Sequence, residues 1–68
     1  MRTYGRLREK IRANYGTLSA FTVAMDMDRS TLSGKINGTT AWKQDEIEKA
    51  CKLLGIPIEQ VYDYFFYA

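Results

Sequence analysis

The chain has 68 residues, a net charge of +2, a single cysteine and no histidine. A chain of this length is expected to form one small domain, which buries about 60% of the surface that its unfolded form exposes. The lone cysteine excludes an internal disulfide, and no apolar run approaches the ~20 residues of a membrane-spanning helix, so we expect a cytoplasmic protein.

The charged residues are unevenly distributed along the chain. Residues 1–43 hold eight Lys/Arg and three Asp/Glu, a balance of +5, whereas residues 44–68 hold two and five, a balance of −3. A field concentrated at one side of a small domain is typical of proteins that bind a polyanion with one face. The basic half is therefore the more promising region for a functional site.

The first predicted helix covers residues 3–14. Its buried stripe is expected to contain Tyr4, Leu7 and Ile11, which recur at helical spacing. Thr3 can serve as the N-cap, and Gly16 stands where a left-handed C-terminal stop is expected. The other positions are rich in arginine and lysine. They form either a solvated surface or a face that steers the protein toward DNA, with Arg2 or Arg6 near a phosphate.

Two short helices joined by a tight turn are predicted between residues 17 and 38. The buried face of the first contains Leu18, Phe21, Thr22 and Met25, at positions i, i+3, i+4 and i+7. Asp26 can adopt the left-handed conformation that the turn needs, and Asp28 can cap the second helix. Met27 is expected to fill the corner between the two helices.

The second of these helices has an unusually narrow apolar stripe. Only Leu32 and Ile36 are large and apolar. The adjacent arc of about 140° is small and polar, with one long cation at its N-terminal end. The residues on this arc are Arg29, Ser30, Ser33, Gly34 and Asn37. A helix of this composition suits the DNA major groove, which admits a helix whose side chains reach the base edges.

These features resemble the helix-turn-helix of small phage regulators, the Cro and repressor group. The similarity covers nearly the whole chain. It extends beyond residues 17–38 to Tyr4-Gly5-Arg6-Leu7, Asn37-Gly38 and Leu54-Gly55-Ile56, and a subgroup of small phage proteins is similar at Trp42-Lys43-Gln44, Ile47-Glu48-Lys49 and Tyr64-Phe65-Phe66. The resemblance implies an all-α, compact five-helix domain that binds a double-stranded DNA operator.

The chain departs from the pattern of this family at three positions of the motif. Asp26 stands where the turn usually has glycine, and Thr22 stands where a small alanine is usual. Leu18 replaces a glutamine that binds a phosphate in the family. The third difference leaves one phosphate contact to be supplied by a neighbour such as Thr17 or Ser19.

Arg29 is the strongest base-reading candidate, because arginine can bind guanine through two hydrogen bonds. Ser30 and Ser33 are further candidates that could equally contact phosphate. Gly34 either lets the helix approach the bases closely or is merely tolerated, and Lys35 is expected to be solvated or near phosphate. The candidates for contacts to the DNA backbone are Thr17, Asn37, Thr39, Lys43 and Gln44.

The C-terminal half is predicted to contain a helix from Gln44 to Leu54, ended by Gly55, and a last helix starting at Pro57. Trp42 closes the core or stacks on nucleic acid. The inner faces are expected to contain Ile47, Ala50, Cys51 and Leu54 in the first of these helices, and Ile58, Val61, Tyr62 and Phe65 in the second.

The last residues are rich in aromatic side chains. Tyr64 and Tyr67 are expected to point away from the core, with Phe66 at its edge, and such a group can mark a protein interface. The partner is a second copy or a related phage repressor. Plain core packing with a frayed tail is the structural alternative.

The remaining composition argues against catalysis, since histidine is missing and one cysteine cannot make a zinc site. We expect neither enzyme activity, a metal, a cofactor nor a small-molecule ligand. The sequence favours a DNA-binding transcriptional regulator of phage or prophage type, which occupies an operator and blocks polymerase. The alternative is an antirepressor, or an antitoxin-like protein, that uses the same fold to bind a protein.

Overall fold

The structure is a computed structural model, and it describes residues 4–66. Within this range the chain forms five α-helices and no strand. The helices are α1 (Gly5–Tyr15), α2 (Leu18–Met25), α3 (Arg29–Ile36), α4 (Gln44–Leu54) and α5 (Val61–Phe65). One 3-10 turn, Ile58–Gln60, precedes α5. The predicted all-α class with five helices is therefore confirmed.

The chain reverses between helices at residues in the left-handed region. Gly16 (φ 80°) ends α1, Asp26 (φ 58°, ψ 46°) ends α2, and Gly55 (φ 67°) ends α4, as the sequence predicted. Thr17 caps α2, because its hydroxyl accepts a hydrogen bond from the Ala20 amide at 3.2 Å. Asp28 occupies the N-cap position of α3, as predicted, but its side chain makes no capping hydrogen bond. The predicted hydrogen bond from a free amide to Asp28 is therefore wrong.

The start of α1 also differs from the prediction. Tyr4 lies in the left-handed region at φ 52°, and the helix begins at Gly5. A left-handed residue cannot continue a right-handed helix, so the helical path starts after it. The Tyr4 side chain is nevertheless buried, as predicted. Arg2 and Thr3 lie outside the described residues.

Side chains from every helix meet in one core. Its fully buried large members are Leu7, Phe21, Leu32 and Phe65, and the other buried apolar residues are Tyr4, Ile11, Met25, Ile36, Ala50, Cys51, Leu54 and Ile56. Leu18, Met27 and Ile47 are partly buried against it. None of the described helices is long and apolar enough to cross a membrane.

The C-terminal segment packs differently from the prediction of one continuous helix. Phe65 is buried and Val61 is partly buried, but Ile58 is 85% exposed and Tyr62 is 64% exposed. A 3-10 turn at Ile58–Gln60 stands where the prediction had the first turn of this helix, so a count of 100° per residue does not apply across it. Val61, Tyr64 and Phe65 face the core, and Ile58, Tyr62 and Phe66 share the outer side.

Candidate nucleic-acid interface

The inner side of α3 is anchored in the core and its outer side faces solvent. Leu32 and Ile36 are buried, whereas Arg29 and Ser30 are exposed. Within residues 4–66, Arg29 forms neither an ion pair nor a side-chain hydrogen bond. Its guanidinium therefore keeps all five N–H donors available to an external acceptor.

The C-terminal end of α3 is held by an arginine from α1. Arg8 Nη2 donates to the Ile36 carbonyl oxygen at 3.3 Å and to Asn37 Oδ1 at 2.9 Å. A cation is favourable at this end of a helix, where the carbonyl groups carry partial negative charge. Asn37 Nδ2 in turn donates to Ser33 Oγ at 3.3 Å. The two predicted DNA-contacting residues Ser33 and Asn37 are thus linked directly.

The ends of three helices surround a polar cleft of about 360 Å³. Its lining includes Arg8 and Arg12 from α1, Thr17 and Leu18 at the start of α2, and Asn37 after α3. The structure therefore brings together Thr17 and Asn37, which are 20 positions apart in the sequence. Two guanidinium groups beside the first turn of a helix make this cleft suitable for an anion.

Gly34 is packed against the loop that follows α3. A Cβ atom added at Gly34 would lie 2.7 Å from Thr40 Oγ1 and 3.3 Å from Thr39 Oγ1. The Gly34 carbonyl also accepts hydrogen bonds from the Thr39 amide (2.9 Å), the Thr40 amide (3.1 Å) and the Thr39 hydroxyl (3.1 Å). The close approach of Thr39 and Thr40 to Gly34 thus accounts for glycine at this position. The sequence had suggested only an approach to DNA bases or simple tolerance.

Lys35 contradicts the sequence expectation of a solvated or phosphate-binding side chain. It is 3% exposed, and its Nζ lies 2.7 Å from Glu46 Oε1 and 2.9 Å from the Ala41 carbonyl oxygen. Its ammonium also lies 6.0 Å from the centre of the Trp42 ring. A buried cation is stable only when it is paired, and both acceptors come from the chain that follows α3. Lys35 is therefore a structural residue.

Glu46 is the partner that makes this burial possible. Burial alone acts to raise the pKa of the Glu46 carboxyl, and this is the largest single influence. The hydrogen bond from Lys35, the hydrogen bond from the Lys43 amide and the charges of both lysines outweigh it, so the pKa lies below its ordinary value. The Lys43 amide donates to Glu46 Oε1 at 2.8 Å, which also satisfies a free donor at the start of α4.

The last two predicted backbone-contacting residues lie at the start of α4. Lys43 is exposed and is the N-cap residue of this helix. Gln44 is exposed, donates to Glu48 Oε2 at 3.3 Å and borders a groove on the far flank of α4. The Lys43 side chain is thus exposed to solvent, whereas the Gln44 amide is engaged by Glu48 beside the groove.

The aromatic residues divide between core and surface. Trp42 is half-buried and packs edge-to-face on Phe65, with ring centroids 5.0 Å apart, in agreement with its predicted place in the core. Tyr64 is half-buried against the core, which corrects its predicted outward orientation. Phe66 is exposed and stacks on Tyr62 at 6.2 Å. Tyr67 lies outside the described residues.

Cys51 is a buried residue of the core, as its predicted place on the inner face of α4 implied. Cys51 is buried, and burial raises the pKa of its thiol, so the unreactive thiol form is favoured. No group of three His, Cys, Asp or Glu side chains in the described part of the chain could hold a metal ion. The polar groups near α3 are cations, hydroxyl groups and amides, together with the exposed carboxylates of Asp26 and Asp28 at its N-terminal end.

Arg8, Arg12 and Glu46 are the residues whose importance the sequence did not indicate. Arg8 and Arg12 were two of several cations on α1, and Glu46 was one of several acidic residues in the first turn of α4. The Arg8 partners lie 28 and 29 positions away, so no local spacing reveals the contact. A buried lysine needs a carboxylate partner. Only an expectation that Lys35 is buried would therefore have drawn attention to Glu46.

These observations define the chain as an all-α domain, in which a short exposed helix with one unpaired arginine is braced by the helices around it. A family model described as "Protein of unknown function (DUF739)" matches residues 2–68, and the chain belongs to this family. A comparison with curated proteins found no match.

Proposed function

We propose that this protein is a sequence-specific DNA-binding regulator of the helix-turn-helix type, in which α3 enters the major groove and α2 supports it. The carrying observation is the contrast between the two sides of α3. Leu32 and Ile36 fix one side in the core, while Arg29 on the other side is exposed and unpaired within residues 4–66. Base reading needs such a rigidly held helix with free donors.

The bracing of α3 supports this proposal. Lys35 joins the helix to α4 and Arg8 joins its C-terminal end to α1. These contacts hold the helix at both flanks without using its outer surface. A side chain that projects from a fixed helix loses little additional freedom on binding, so its hydrogen bonds discriminate between bases more effectively.

The cleft beside α2 supplies the second element, a place for a backbone phosphate. Arg8 and Arg12 provide positive charge, and the first turn of α2, which follows Thr17, adds the positive end of its helix dipole. In the phage regulators that this chain resembles, a glutamine stands where this chain has Leu18. Here the arginine pair is the proposed substitute, with Lys43 as a further phosphate contact. These residues set the register on DNA, and Arg29, Ser30 and Ser33 read the bases.

The proposed mechanism is steric. A protein that occupies an operator overlapping a promoter prevents polymerase from binding there. Its affinity comes mainly from phosphates and depends on salt, and its specificity comes from the few base contacts of α3. The resemblance to the phage Cro and repressor group motivates the assignment to regulation.

The decisive experiment is a mobility-shift titration of the protein on the intergenic DNA next to its gene and on random DNA of equal length. It is run at about 50 mM and about 200 mM salt, because phosphate contacts lose affinity as salt rises. Arg29→Ala is expected to cost about 1–3 kcal/mol on the cognate site and little on random DNA. Lys43→Ala should weaken both and reduce the log–log salt slope by about one unit.

Lys10→Ala is the matched control, since Lys10 lies on the side of α1 that is about 160–200° from Arg8 and Arg12. It removes the same unit of charge but should change binding far less than Lys43→Ala. An equal loss for Arg29→Ala on both DNAs would make Arg29 a phosphate ligand. Absence of any binding at low salt would contradict the proposal and favour the antirepressor alternative.

A further inference from the structure

An open groove of about 740 Å³ runs between α4 and the C-terminal segment. Its apolar lining includes Ile47, Cys51, Ile56 and Val61. When another apolar group displaces water from walls of this composition, the free energy of the system falls. The groove lies outside the set of residues assigned to DNA, with the exception of Gln44 at its edge.

An exposed apolar stripe borders this groove. Ile58, Tyr62 and Phe66 follow one another at intervals of four residues, and Ile58 and Phe66 line the groove itself. Ile58 is 85% exposed, which is unusual for a large aliphatic side chain next to other exposed apolar groups. Contiguous apolar surface of this kind on a small domain marks an interaction site. The same surface thus carries both a projecting side chain and a cavity.

The rim of the groove carries charges of both signs in a regular row. Gln44, Glu48 and Lys52 lie at i, i+4 and i+8 on α4, so they share one side of the helix. If two copies of α4 lie antiparallel across a two-fold axis, Glu48 of each copy faces Lys52 of the other. In this arrangement each negative charge meets a positive one, so the two rows attract rather than repel each other.

From these observations we infer that the groove is the interface of a two-fold symmetric homodimer, with Ile58 of each copy inserted into the groove of the other. A two-fold interface requires one surface that is complementary to itself. This surface has a projecting side chain, Ile58, a groove that can receive it, and a row with one negative and one positive charge. A small molecule in the groove would leave Ile58 and Tyr62 exposed, whereas a second copy covers both.

The interface leaves α3 accessible. Glu46 contacts α3 through Lys35, and Lys49 donates to the Met25 carbonyl at the end of α2, so these residues mark the flank of α4 that faces α2 and α3. At about 100° per residue, Glu48 and Lys52 lie on the other flank. The dimer can therefore form without DNA. Only its use for reading two half-sites about 34 Å apart rests on the proposed function.

The first test is sedimentation equilibrium of the full chain without DNA. We expect a dimer with a Kd of about 10–100 µM, in the range of weak interfaces below standard size. Ile58→Ser should raise the Kd by about 100-fold, because two isoleucines are lost from each dimer. Val23→Ser is the matched control, since Val23 is 81% exposed on α2, away from the groove, and should leave the Kd unchanged.

The second test exchanges the charges of the rim. Glu48→Lys and Lys52→Glu should each raise the dimer Kd about fivefold, because each places like charges opposite one another twice. The double variant Glu48→Lys/Lys52→Glu should return the Kd to within about twofold of the parent. Circular dichroism checks that each variant keeps its helices. Since the substituted side chains are exposed, the fold should be retained.

Two results would overturn the inference: a parent chain that is monomeric at about 1 mM, or a dimer that Ile58→Ser does not weaken. A double variant without rescue would overturn the antiparallel arrangement of α4. The DNA proposal is scored separately on a single half-site, to which a monomer can bind. A monomeric protein that binds the half-site refutes only the dimer, and a dimer without DNA affinity refutes only the DNA-binding function.

Discussion

The ammonium group of Lys35 on α3 lies 2.7 Å from the carboxylate of Glu46 on α4, and both side chains are largely withdrawn from solvent. The same carboxylate oxygen accepts the Lys43 amide, and the ammonium also donates to the Ala41 carbonyl. The pair therefore connects α3, the connecting loop and the first turn of α4. Together with the Arg8 contacts at its C-terminal end, the pair holds the proposed recognition helix in place.

Removal of both charges should cost less than the two single removals added together. Lys35→Met leaves the Glu46 carboxylate without its cation, and a loss of about 2–4 kcal/mol in the free energy of unfolding is expected. Glu46→Gln keeps an oxygen for the Lys43 amide but leaves the buried ammonium without its counterion. The double variant should lose less than the sum of the two. Urea denaturation measures this coupling, and additive losses would show that the ion pair contributes no net interaction.

The same pair predicts how stability changes in acid. The folded-state pKa of Glu46 is lowered from the ordinary value of 4.5, so the unfolded chain binds the proton more readily. The associated stabilisation is present above pH 4.5 and is lost as the pH falls below that value. Thermal melts between pH 7 and pH 3 should show a smaller decrease for Glu46→Gln than for the parent. Parallel curves would exclude Glu46 as a source of the acid sensitivity.

The turn between α2 and α3 can be tested at Asp26. Its left-handed conformation is one that glycine adopts without steric cost, so Asp26→Gly should preserve the fold and add up to about 1 kcal/mol of stability. Asp26→Val should destabilise by about 1–2 kcal/mol, because a β-branched side chain clashes in this conformation. Thermal melts distinguish the variants, and a Val variant as stable as the parent would contradict this account of the turn.

Gly34 offers a test of internal packing against helix propensity. Alanine is favoured over glycine in a helix by up to ~1 kcal/mol, yet Gly34→Ala should destabilise by about 1 kcal/mol, since its methyl group would meet Thr40 Oγ1. Gly34→Ala/Thr40→Ala removes that oxygen and should recover most of the loss. A stabilised single variant would mean that the Thr40 side chain rotates away without cost.

The sequence by itself determined the helices and most of their ends. Helical spacing identified the buried apolar residues of α1 to α4 but missed the buried Lys35, and Asp26, Gly16 and Gly55 indicated the reversals of the chain. These signals are local: a buried stripe repeats within a few residues, and a left-handed stop depends mainly on one residue. The outward polar arc of α3 followed from the same periodicity, so Arg29 and Ser30 were correctly expected on the surface.

The C-terminal segment shows where local periodicity stops being sufficient. Counting 100° per residue from Ile58 placed Ile58 and Tyr62 inside, but the 3-10 turn changes the phase before α5 begins. Tyr64 and Phe65 consequently face the core in place of Tyr62. Ile56 before the turn and Phe65 after it are both buried, and a count of helical positions within a short window of sequence does not reveal this arrangement.

The contacts that brace the candidate site were decided only by the tertiary structure. Arg8 meets Asn37 across 29 positions, Lys35 meets Glu46 on the next helix, and Gly34 meets a loop that folds back on it. Each side chain is an ordinary polar or small residue on a helix when only its neighbours in sequence are considered. Its role depends on which group lies opposite after the helices have packed, because burial raises the free-energy cost of every unpaired charge and every overlapping atom.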